Sequence, residues 1–387
     1  MTSHTILLEG HRLVRGSDLG GIDSYWRSLV PELLRRADDE FRFLVLTAFL
    51  NPRHRRAVER LVAAGAAVRH WWASPEWLYA TRRLGGSFEW FAGPHDLVHL
   101  PEPVLPLASR GRTVVTAHDV MYLHFPQYLE PQWVRRLLAG TEELARTATL
   151  WICVSEHTRD ELIRHFHVPR GRTVVVPHGV APAFFAAAEA PVRADEVARR
   201  LGLASDGYFL FVGSVEPKKN LPVLVEAFAR AAAQGLRRDL AVAGRAGWGD
   251  EALRATLDRH PEVRDRIHFL GFVEQDDLPP LVAGARALVL PSRYEGFGMP
   301  VLEAMAAGTP VLVSNRGALP EVAGDAARLF DPDDVAGLAA ELERLDGDDG
   351  LCEDMARRGR RRAAPFTWER SAAETVEAYR LALDLPR

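Results

Sequence analysis

Short apolar runs alternate with longer stretches of helical periodicity along most of the chain. Runs rich in Val, Leu and Ile without polar alternation predict strands buried on both faces, as in parallel sheets. The pattern predicts strands at 5–8, 43–48, 66–71, 96–99, 113–117, 149–154, 173–177, 208–213, 239–243, 267–270, 286–290 and 310–314. It predicts helices at 22–36, 53–64, 132–146, 156–167, 220–233, 250–258, 298–307 and 334–344.

Strands and helices in alternation favour an α/β protein built from doubly wound parallel sheets. The pattern is interrupted near 181–205, where an Ala/Pro-rich segment is followed by a charged helical stretch and a fresh strand. We therefore expect two Rossmann-like domains, at about 1–180 and 200–365.

Composition narrows the class of protein further. The 387 residues carry a net charge of −4, which gives no overall footprint for nucleic acid. The two cysteines, Cys153 and Cys352, form neither a disulfide framework nor a metal quartet, and they suit a reducing compartment. No apolar run approaches the length of a membrane span, and residues 1–20 lack a secretory signal pattern. Secreted, membrane-spanning and disordered proteins are thus disfavoured.

The lysine content is unusual. Of 48 Lys and Arg residues only two are lysines, and these are the adjacent Lys218 and Lys219. Arg is a planar fork, whereas Lys is a compact ammonium on a flexible stem. A pair of lysines in an arginine-rich chain suggests a place where Arg does not serve, although a codon accident gives the same pattern.

Glycines and charged residues follow the predicted strands, where open parallel sheets bind ligands. In the second half, Gly213 and Ser214 end a strand, and both lysines precede a helix that begins near Asn220. A glycine turn, two ammonium groups and a helix N-terminus favour a diphosphate site. A solvated turn remains the alternative.

The stretch from Leu290 to Pro310 is the most informative part of the chain. A glycine-rich loop follows the strand, Pro300 suits a first helical turn, and Gly308 suits the end of that helix. Glu295 and Glu303 stand eight residues apart around this helix start. Carboxylates accept hydrogen bonds from hydroxyl groups, and the start of a helix attracts negative charge. The pattern therefore indicates a site that binds a sugar joined to a phosphate. Helix capping is the alternative for either Glu alone.

The first half carries weaker signals. Gly20 and Gly21 open a helix, His118 and Asp119 end a strand, and His178 lies beside the domain boundary. The His–Asp pair suits a sugar-hydroxyl contact or a proton transfer, or simply a loop histidine with satisfied hydrogen bonds. Ser155 is expected to cap the helix that follows it.

Several of these segments together resemble the family-4 retaining glycosyltransferases. The second half is similar at Gly213…Glu216-Pro217-Lys218-Lys219-Asn220-Leu221, at Ala243-Gly244-Arg245…Gly247-Trp248, at Leu270-Gly271-Phe272-Val273 and at the E-x7-E pair Glu295–Glu303. Ser314-Asn315…Gly317…Leu319-Pro320-Glu321-Val322 and Phe330-Asp331-Pro332 continue the likeness. The first half is similar at Gly20-Gly21-Ile22, His118-Asp119, Val154-Ser155-Glu156 and His178-Gly179-Val180, and Phe366–Arg370 resembles the family's closing element.

The resemblance implies a GT-B fold, with two Rossmann-like domains facing across a cleft, and neither a cofactor nor a required metal. The first domain, with a terminal helix at 366–387 returning to it, would bind the acceptor, and the second the nucleotide-sugar donor. Lys219 would hold the diphosphate, Glu303 the ribose and Glu295 the transferred sugar, while His118 and Asp119 would lie on the acceptor side.

The resemblance implies catalytic roles for His118, Glu295 and Lys219. The donor-binding set implied is Gly20, Gly21, Gly213, Ser214, Lys218, Lys219, Ser292, Glu295, Gly296, Phe297, Gly298, Met299, Pro300, Val301 and Glu303. Where many family members carry Arg, this chain has Ser214 or Lys218.

The implied reaction transfers a hexosyl unit, mannosyl favoured, from a nucleotide-diphosphate sugar to a hydroxyl group of a sugar, a lipid-linked or a natural-product acceptor. A transferase using UDP-glucose or UDP-N-acetylglucosamine, a sugar-nucleotide 2-epimerase and an inactive sugar-nucleotide-binding subunit are the alternatives. The aromatic segment 71–91 would form an acceptor wall or pack in the core. The basic runs 53–60 and 357–362 would touch anionic lipid or be solvated. A cytoplasmic protein is expected, with peripheral contact to the inner membrane face left open.

Overall fold

The computed structural model describes residues 3–14, 20–38, 40–48, 55–72, 77, 80–104, 107–204, 207–245, 247 and 251–386. The chain divides into two compact units, Met1–Gly179 with Trp368–Arg387 and Val180–Thr367. The described strands are β1 (His4–Glu9), β2 (Phe41–Ala48), β3 (Ala67–Trp71), β4 (Leu97–Leu100), β5 (Arg112–Ala117), β6 (Leu150–Cys153), β7 (Thr173–Val175), β8 (Tyr208–Val212), β9 (Asp239–Ala243), β10 (Ile267–Gly271), β11 (Ala287–Leu290), β12 (Val311–Ser314) and β13 (Arg328–Phe330).

The described α-helices surround these strands. In the first unit they are His11–Val14, Gly21–Leu34, Arg55–Ala63, Phe88–Ala92, Met121–His124, Pro131–Thr147, Glu156–Phe166 and Trp368–Asp384. In the second unit they are Pro182–Ala187, Pro191–Arg200, Leu221–Ala233, Glu251–Arg259, Leu278–Ala283, Met299–Ala306, Leu319–Ala323, Val335–Gly347 and Asp349–Ala363.

The first unit is built on a seven-stranded parallel sheet in the order β3-β2-β1-β4-β5-β6-β7. Its central strands are apolar on both faces, and Ile6, Leu7 and Leu8 are fully buried. Trp26 and Trp151 are the largest buried side chains of this unit. Burying such a side chain stabilises the fold by about 1.5–3 kcal/mol, so these runs specify the layer between the helices.

The second unit contains a six-stranded parallel sheet in the order β10-β9-β8-β11-β12-β13. Phe209 and Phe211 of β8 are fully buried, as is Phe228 of the helix that follows. The strand order reverses between β8 and β11, so the loops after these two strands diverge at a switch point. The predicted fold class of two doubly wound parallel sheets is confirmed.

Several elements differ from the sequence prediction, including short helices such as Leu278–Ala283 and Leu319–Ala323 that it did not contain. The short edge strand β13 was not predicted, because only one of its three residues, Phe330, is buried. The arginine-rich helix Asp349–Ala363 was not predicted either, since its sequence is strongly charged. Segment 181–190, where the sequence predicts the start of a domain boundary, forms the helix Pro182–Ala187 within the second unit.

Candidate active site

The second unit brings its candidate residues together at the carboxyl ends of β8, β11 and β12. Neighbouring loops here are joined by main-chain hydrogen bonds, since Arg293 N donates to Lys218 O at 2.8 Å. Ser314, the last residue of β12, donates from Oγ to Ser292 O at 2.5 Å. The sequence therefore assembles three separate motifs into one cluster at the sheet's switch point.

Lys219 and Glu295 form the centre of this cluster. Lys219 Nζ donates to Glu295 Oε1 at 2.6 Å, and Ser292 Oγ donates to the same oxygen at 2.6 Å. Both charged side chains are only 11% exposed. Burial alone would raise the pKa of Glu295, but the ammonium groups of Lys219 and Lys218 lower it below its ordinary value. Glu295 therefore stays ionised and forms a buried ion pair with Lys219.

The main chain of Glu295 is fixed by a glycine contact. Gly317 has φ +60°, and a Cβ placed on it would lie 2.5 Å from Glu295 O. The next residue, Ala318, donates its N–H to the same carbonyl at 2.9 Å. A side chain at position 317 would thus displace the loop that carries the carboxylate, and glycine is required there for both reasons.

Glu303 lies in the helix Met299–Ala306 and is half-buried, between fully buried Leu302 and Ala304. No side-chain hydrogen bond or ion pair to it is found within the described part of the chain. Burial raises the pKa of Glu303 from 4.5 to about 7. Burial disfavours the ionised form of this carboxylate. Hydroxyl groups of a ligand can donate hydrogen bonds to it and so stabilise that form.

The turn that carries the lysines has a specific backbone. Pro217–Lys219 form a 3-10 turn, and Asn220 adopts a left-handed conformation with φ 59° before the helix Leu221–Ala233. Asn220 Nδ2 donates to Pro332 O at 2.8 Å, which fixes this strained residue. Lys219 passes over Gly213, whose position would place a Cβ 3.5 Å from Lys219 Cε. The turn therefore aims its second ammonium at Glu295.

Lys218 is placed differently from Lys219. Its Nζ lies 3.7 Å from Glu216 Oε1, which also accepts a hydrogen bond of 3.2 Å from Ser214 Oγ. Lys218 thus contributes positive charge to the same turn, and Ser214 lies exposed beside it.

The remaining predicted donor residues occupy the loop after β11 and the helix start. Gly298 adopts φ +99° immediately before the helix, and Met299 and Pro300 form its half-buried first turn. Gly296, Phe297 and Val301 are buried in the same segment.

The first unit contains a separate cluster around His118 at the end of β5. His118 Nε2 donates to Pro101 O at 2.9 Å, which leaves Nδ1 as the acceptor of the neutral ring. Burial chiefly, and the charge of Arg12, lower the pKa of His118 to about 4. Asp119 Oδ1 accepts a hydrogen bond of 3.0 Å from the N–H of Met121, the first residue of the next short helix. His118 is thus a neutral hydrogen-bonding group at physiological pH.

Aromatic rings surround His118. Tyr25 meets it edge-on with centroids 4.7 Å apart, and His178 stacks at 5.5 Å. Trp368 lies 5.9 Å from the His178 ring. Burial chiefly, and the neighbouring His118 ring, lower the pKa of His178 well below its ordinary value.

A chain of buried hydrogen bonds continues behind Tyr25. Its hydroxyl lies 3.1 Å from Thr116 Oγ1, which lies 2.8 Å from His99 Nε2, while His99 Nδ1 lies 2.6 Å from the Tyr379 hydroxyl. Burial lowers the pKa of His99 to about 3. The chain joins the terminal helix to the tip of β5 through neutral groups.

Sequence reasoning missed a charged triad near Gly20 and Gly21. Arg12 donates from Nε to Glu102 Oε1 at 2.6 Å, and from NH1 to Asp23 Oδ1 at 3.0 Å. Arg12 and Glu102 follow β1 and β4 directly, which was the available signal, although 90 residues separate them. Asp23 lies in the first turn of the helix that Gly20 precedes. Gly20 and Gly21 have open space where a Cβ would be.

The other predicted features of the first unit separate into two kinds. Ser155 accepts from Thr158 N at 3.0 Å, so its capping role is confirmed. In the aromatic segment, Phe88 and Phe91 pack in the core, whereas four tryptophans are exposed, namely Trp71, Trp72, Trp77 and Trp90. Leu78, Tyr79 and the first two residues of the run 53–60 lie outside the described residues.

Both basic runs form helices where they are described. The helix Arg55–Ala63 has no buried residue. In the run 357–362, Arg358 and Arg362 donate to main-chain carbonyls of Asp325 and Val322, so part of that run has a structural role.

Comparison with known proteins identifies the family. The model described as Glycosyl transferases group 1 matches residues 195–362, and that described as Glycosyltransferase Family 4 matches residues 19–184. The O-antigen chain mannosyltransferase B of Escherichia coli is 36% identical over 286 residues, covering 74% of each chain. The MMP alpha-(1->4)-mannosyltransferase of Mycolicibacterium hassiacum is 30% identical, covering 79% of this chain and 74% of its own.

Solved structures agree on the fold. HepE of Anabaena in complex with UDP-glucose superimposes with a TM-score of 0.73 at 17% identity, covering 97% of this chain and 99% of its own. Sucrose-phosphate synthase of Thermosynechococcus elongatus gives 0.73 at 21% identity, covering 97% and 98%. The fold is that of the GT-B glycosyltransferases.

This chain is thus a nucleotide-sugar-dependent glycosyltransferase. It belongs to the family-4 glycosyltransferases, and the mannosyltransferases among its relatives favour mannose as the transferred sugar. Glycosyltransferases use nucleotide-sugar donors and sugar or lipid-linked acceptors. No described helix has both the length and the apolar character needed to cross a lipid bilayer.

Proposed function

We propose that the protein is a retaining mannosyltransferase that transfers mannose from GDP-mannose to a carbohydrate hydroxyl, without a metal in the transfer step. The observation that carries the proposal is the buried contact between Lys219 and Glu295, set beside the start of the helix Met299–Ala306. The two named mannosyltransferase relatives support the choice of sugar.

In the proposed mechanism, Lys219 and Lys218 stabilise the negative charge that grows on the leaving diphosphate. One preorganised donor of this kind is typically worth about 3–4 kcal/mol of the barrier. The N-terminus of the helix Met299–Ala306 adds partial positive charge at the same place. The diphosphate would compete with Glu295 for Lys219. Glu295 could then accept hydrogen bonds from the hydroxyl groups of the sugar.

Glu303 is proposed to bind the ribose hydroxyl groups. No hydrogen bond or ion pair to its carboxylate is found within the described residues, and burial already disfavours its charge, so two donated hydrogen bonds would stabilise the ionised form. His118 is proposed to contact the transferred sugar through Nδ1, as a neutral acceptor, while Nε2 stays bound to Pro101 O. Asp119 is proposed to lie on the acceptor side.

The acceptor is proposed to be a glycan that stacks on the exposed tryptophans of the first unit. Trp71 is held at the end of β3 by a hydrogen bond of 2.9 Å from its Nε1 to Phe91 O, and it meets the Phe91 ring at 5.4 Å. Trp72 and Trp90 are each 58% exposed. Rigid indole faces offer large contact area to sugar rings at small entropic cost. The second proposed use of this tryptophan surface is contact with a lipid carrier at the inner membrane face.

The proposed compartment is the cytoplasm. Cys153 and Cys352 are both free and buried, and burial raises the pKa of the Cys153 thiol far above its usual range. Buried unreactive thiols fit a reducing environment.

The nucleotide is tested first by thermal shift of the purified protein with GDP, UDP, ADP and TDP. We expect GDP to stabilise it most, in proportion to its affinity. Stabilisation by UDP instead would redirect the proposal to a UDP-glucose or UDP-N-acetylglucosamine transferase, and stabilisation by none would contradict a sugar-nucleotide site.

The reaction is tested next with GDP-mannose and a mannose-containing oligosaccharide. Proton-coupled NMR of the product should show the anomeric configuration of the donor. Inversion would refute the retaining assignment. An epimerised donor sugar in the absence of acceptor would favour the 2-epimerase alternative, and binding without turnover would favour an inactive binding subunit.

A further inference from the structure

A second chemical cluster lies in the first unit, apart from the residues assigned to donor or acceptor. It consists of His124, Glu161 and His165, whose candidate ligand atoms all lie within 4.8 Å of one another. Among the residues that the structure describes, no other group of three His, Cys, Asp or Glu side chains is arranged to hold a metal ion. We propose that this cluster binds a divalent transition-metal ion, Zn²⁺ above all, with a structural role.

The backbone places the three ligands on two elements. Glu161 and His165 stand four residues apart on the helix Glu156–Phe166, so their side chains share one face. His124 ends the short helix Met121–His124 and approaches that face, with its Nε2 hydrogen-bonded to Glu161 Oε2. A pair from one helix and a third ligand from a neighbouring element hold an ion between two segments.

The three ligand atoms are close enough to meet around one zinc ion after side-chain adjustment. His165 Nε2 lies 3.7 Å from Glu161 Oε2, and the two imidazole rings are 5.4 Å apart at 82°. Bonds of about 2.0–2.1 Å at a tetrahedral centre put neighbouring ligand atoms roughly 3.3 Å apart. Bringing the three ligand atoms, which lie within 4.8 Å of one another, to those separations takes side-chain movements of about 1 Å, and the exposed rings of His124 and His165 can make them.

The chemistry of the set also fits zinc. Two imidazoles and one carboxylate are a common three-ligand combination that leaves the fourth position to water. Glu161 is buried, and its second oxygen accepts a hydrogen bond of 2.8 Å from Arg164 NH1, which orients Oε2 toward the histidines. His124 is 34% exposed, so an ion can enter from solvent.

An ion here would act on the segment that carries His118. His124 follows His118 by six residues, and Thr158 Oγ1 of the partner helix donates to His118 O at 3.4 Å. Metal binding would therefore fasten the residues after β5 to the helix Glu156–Phe166. The transfer step itself stays metal-free in the proposed mechanism, so zinc would raise the stability of the unit rather than supply catalysis.

The experiment uses full-length protein with its affinity tag removed and with metals stripped by a chelator. Zn²⁺ is titrated by calorimetry, and Co²⁺ by its visible absorption. We expect one ion per chain, the intense absorption of four-coordinate cobalt, and a rise in the unfolding temperature. Each of His124→Ala, His165→Ala and Glu161→Gln should weaken binding by at least about tenfold, or ~1.4 kcal/mol.

His260→Ala is the matched control, because His260 lies 3.1 Å from Glu262 in a pair with no third ligand among the described residues. Its variant should bind zinc as the unaltered protein does. Absence of zinc binding by the unaltered protein, six-coordinate cobalt, or equal loss in His260→Ala would overturn the proposal. Circular dichroism of each variant separates loss of the site from loss of the fold.

Discussion

The clusters around Glu295 in the second unit and around His118 in the first unit differ in their charge. In the second unit, charges predominate, with Lys219, Lys218 and Glu295 held together in a site that excludes most water. In the first unit, His118, His178 and Tyr25 are neutral, since burial lowers the pKa of both histidines. Under the proposed function, the second unit would stabilise developing charge, and the neutral groups around His118 would contact uncharged hydroxyl groups.

The strongest challenge to this comparison is Lys219→Ala. Loss of the ammonium should lower kcat for sugar transfer by about 10²–10³, because growing charge on the diphosphate would lose its nearest donor. Lys218→Ala is the matched control and should have a smaller effect, since Lys218 lies beside Glu216 rather than Glu295. Steady-state turnover within a few-fold of the unaltered enzyme would remove Lys219 from the diphosphate site.

A second prediction concerns His118. His118→Ala should lower kcat/KM by about 5–100-fold, the range for one lost hydrogen bond at a desolvated site. His118→Asn should recover part of that loss. Because the pKa of His118 is about 4, the rate between pH 5.5 and 8.5 should show no titration of this residue. A rate profile with a step near pH 6.5 that disappears in His118→Asn would show that the ring titrates in the ordinary range.

A third prediction compares the two glutamates of the donor cluster. Burial raises the pKa of Glu303 to about 7, so its ionisation costs stability as pH rises from about 4.5 to 7. Glu303→Gln should therefore gain about 1–2 kcal/mol of unfolding free energy relative to the unaltered protein between pH 5 and pH 8, after allowing for partial exposure.

Glu295→Gln should show the opposite sign. The pKa of Glu295 is lowered, so its ionised form stabilises the fold above the unfolded pKa and that contribution is lost as pH falls. Urea unfolding at pH 4, 5, 7 and 8 measures both variants. The same pH trend in both would show that the two carboxylates do not differ as the structure indicates.

The smallest expected effect is that of Tyr379→Phe. The substitution removes the hydroxyl that lies 2.6 Å from His99 Nδ1 and should cost about 0.5–1.5 kcal/mol of unfolding free energy. Phe43→Leu provides a packing control at a ring that neighbours Tyr379. A loss confined to Phe43→Leu would mean that the hydrogen-bonded chain contributes little.

Most of the fold could be predicted from local pattern, because a buried parallel strand has a nearly continuous apolar sequence. The run at 208–213 and the strand β8 (Tyr208–Val212) differ by one residue. The donor cluster was also accessible, since Gly213, Lys219 and Glu295 each follow a strand. The Arg12–Glu102 contact was not, because ion pairs between distant strand ends leave no periodic signal in the chain.

The pKa differences could not be predicted either. Glu295 and Glu303 are the same residue type in one motif, and only their neighbours decide the direction of each shift. Lys219 and Ser292 contact Glu295, whereas apolar side chains flank Glu303. Such differences arise from packing in three dimensions, and the spacing of the two residues carries no information about them.

The terminal helix Trp368–Asp384 has a consequence for biosynthesis. It belongs to the first unit, yet the ribosome makes it after all of Val180–Thr367. During synthesis the first unit therefore stays incomplete until this helix is made, and His99 lacks its hydrogen bond to the Tyr379 hydroxyl until then. The second unit contains no later segment, so it can complete its own core first. Truncation of the final twenty residues would consequently damage the half of the protein that was synthesised first.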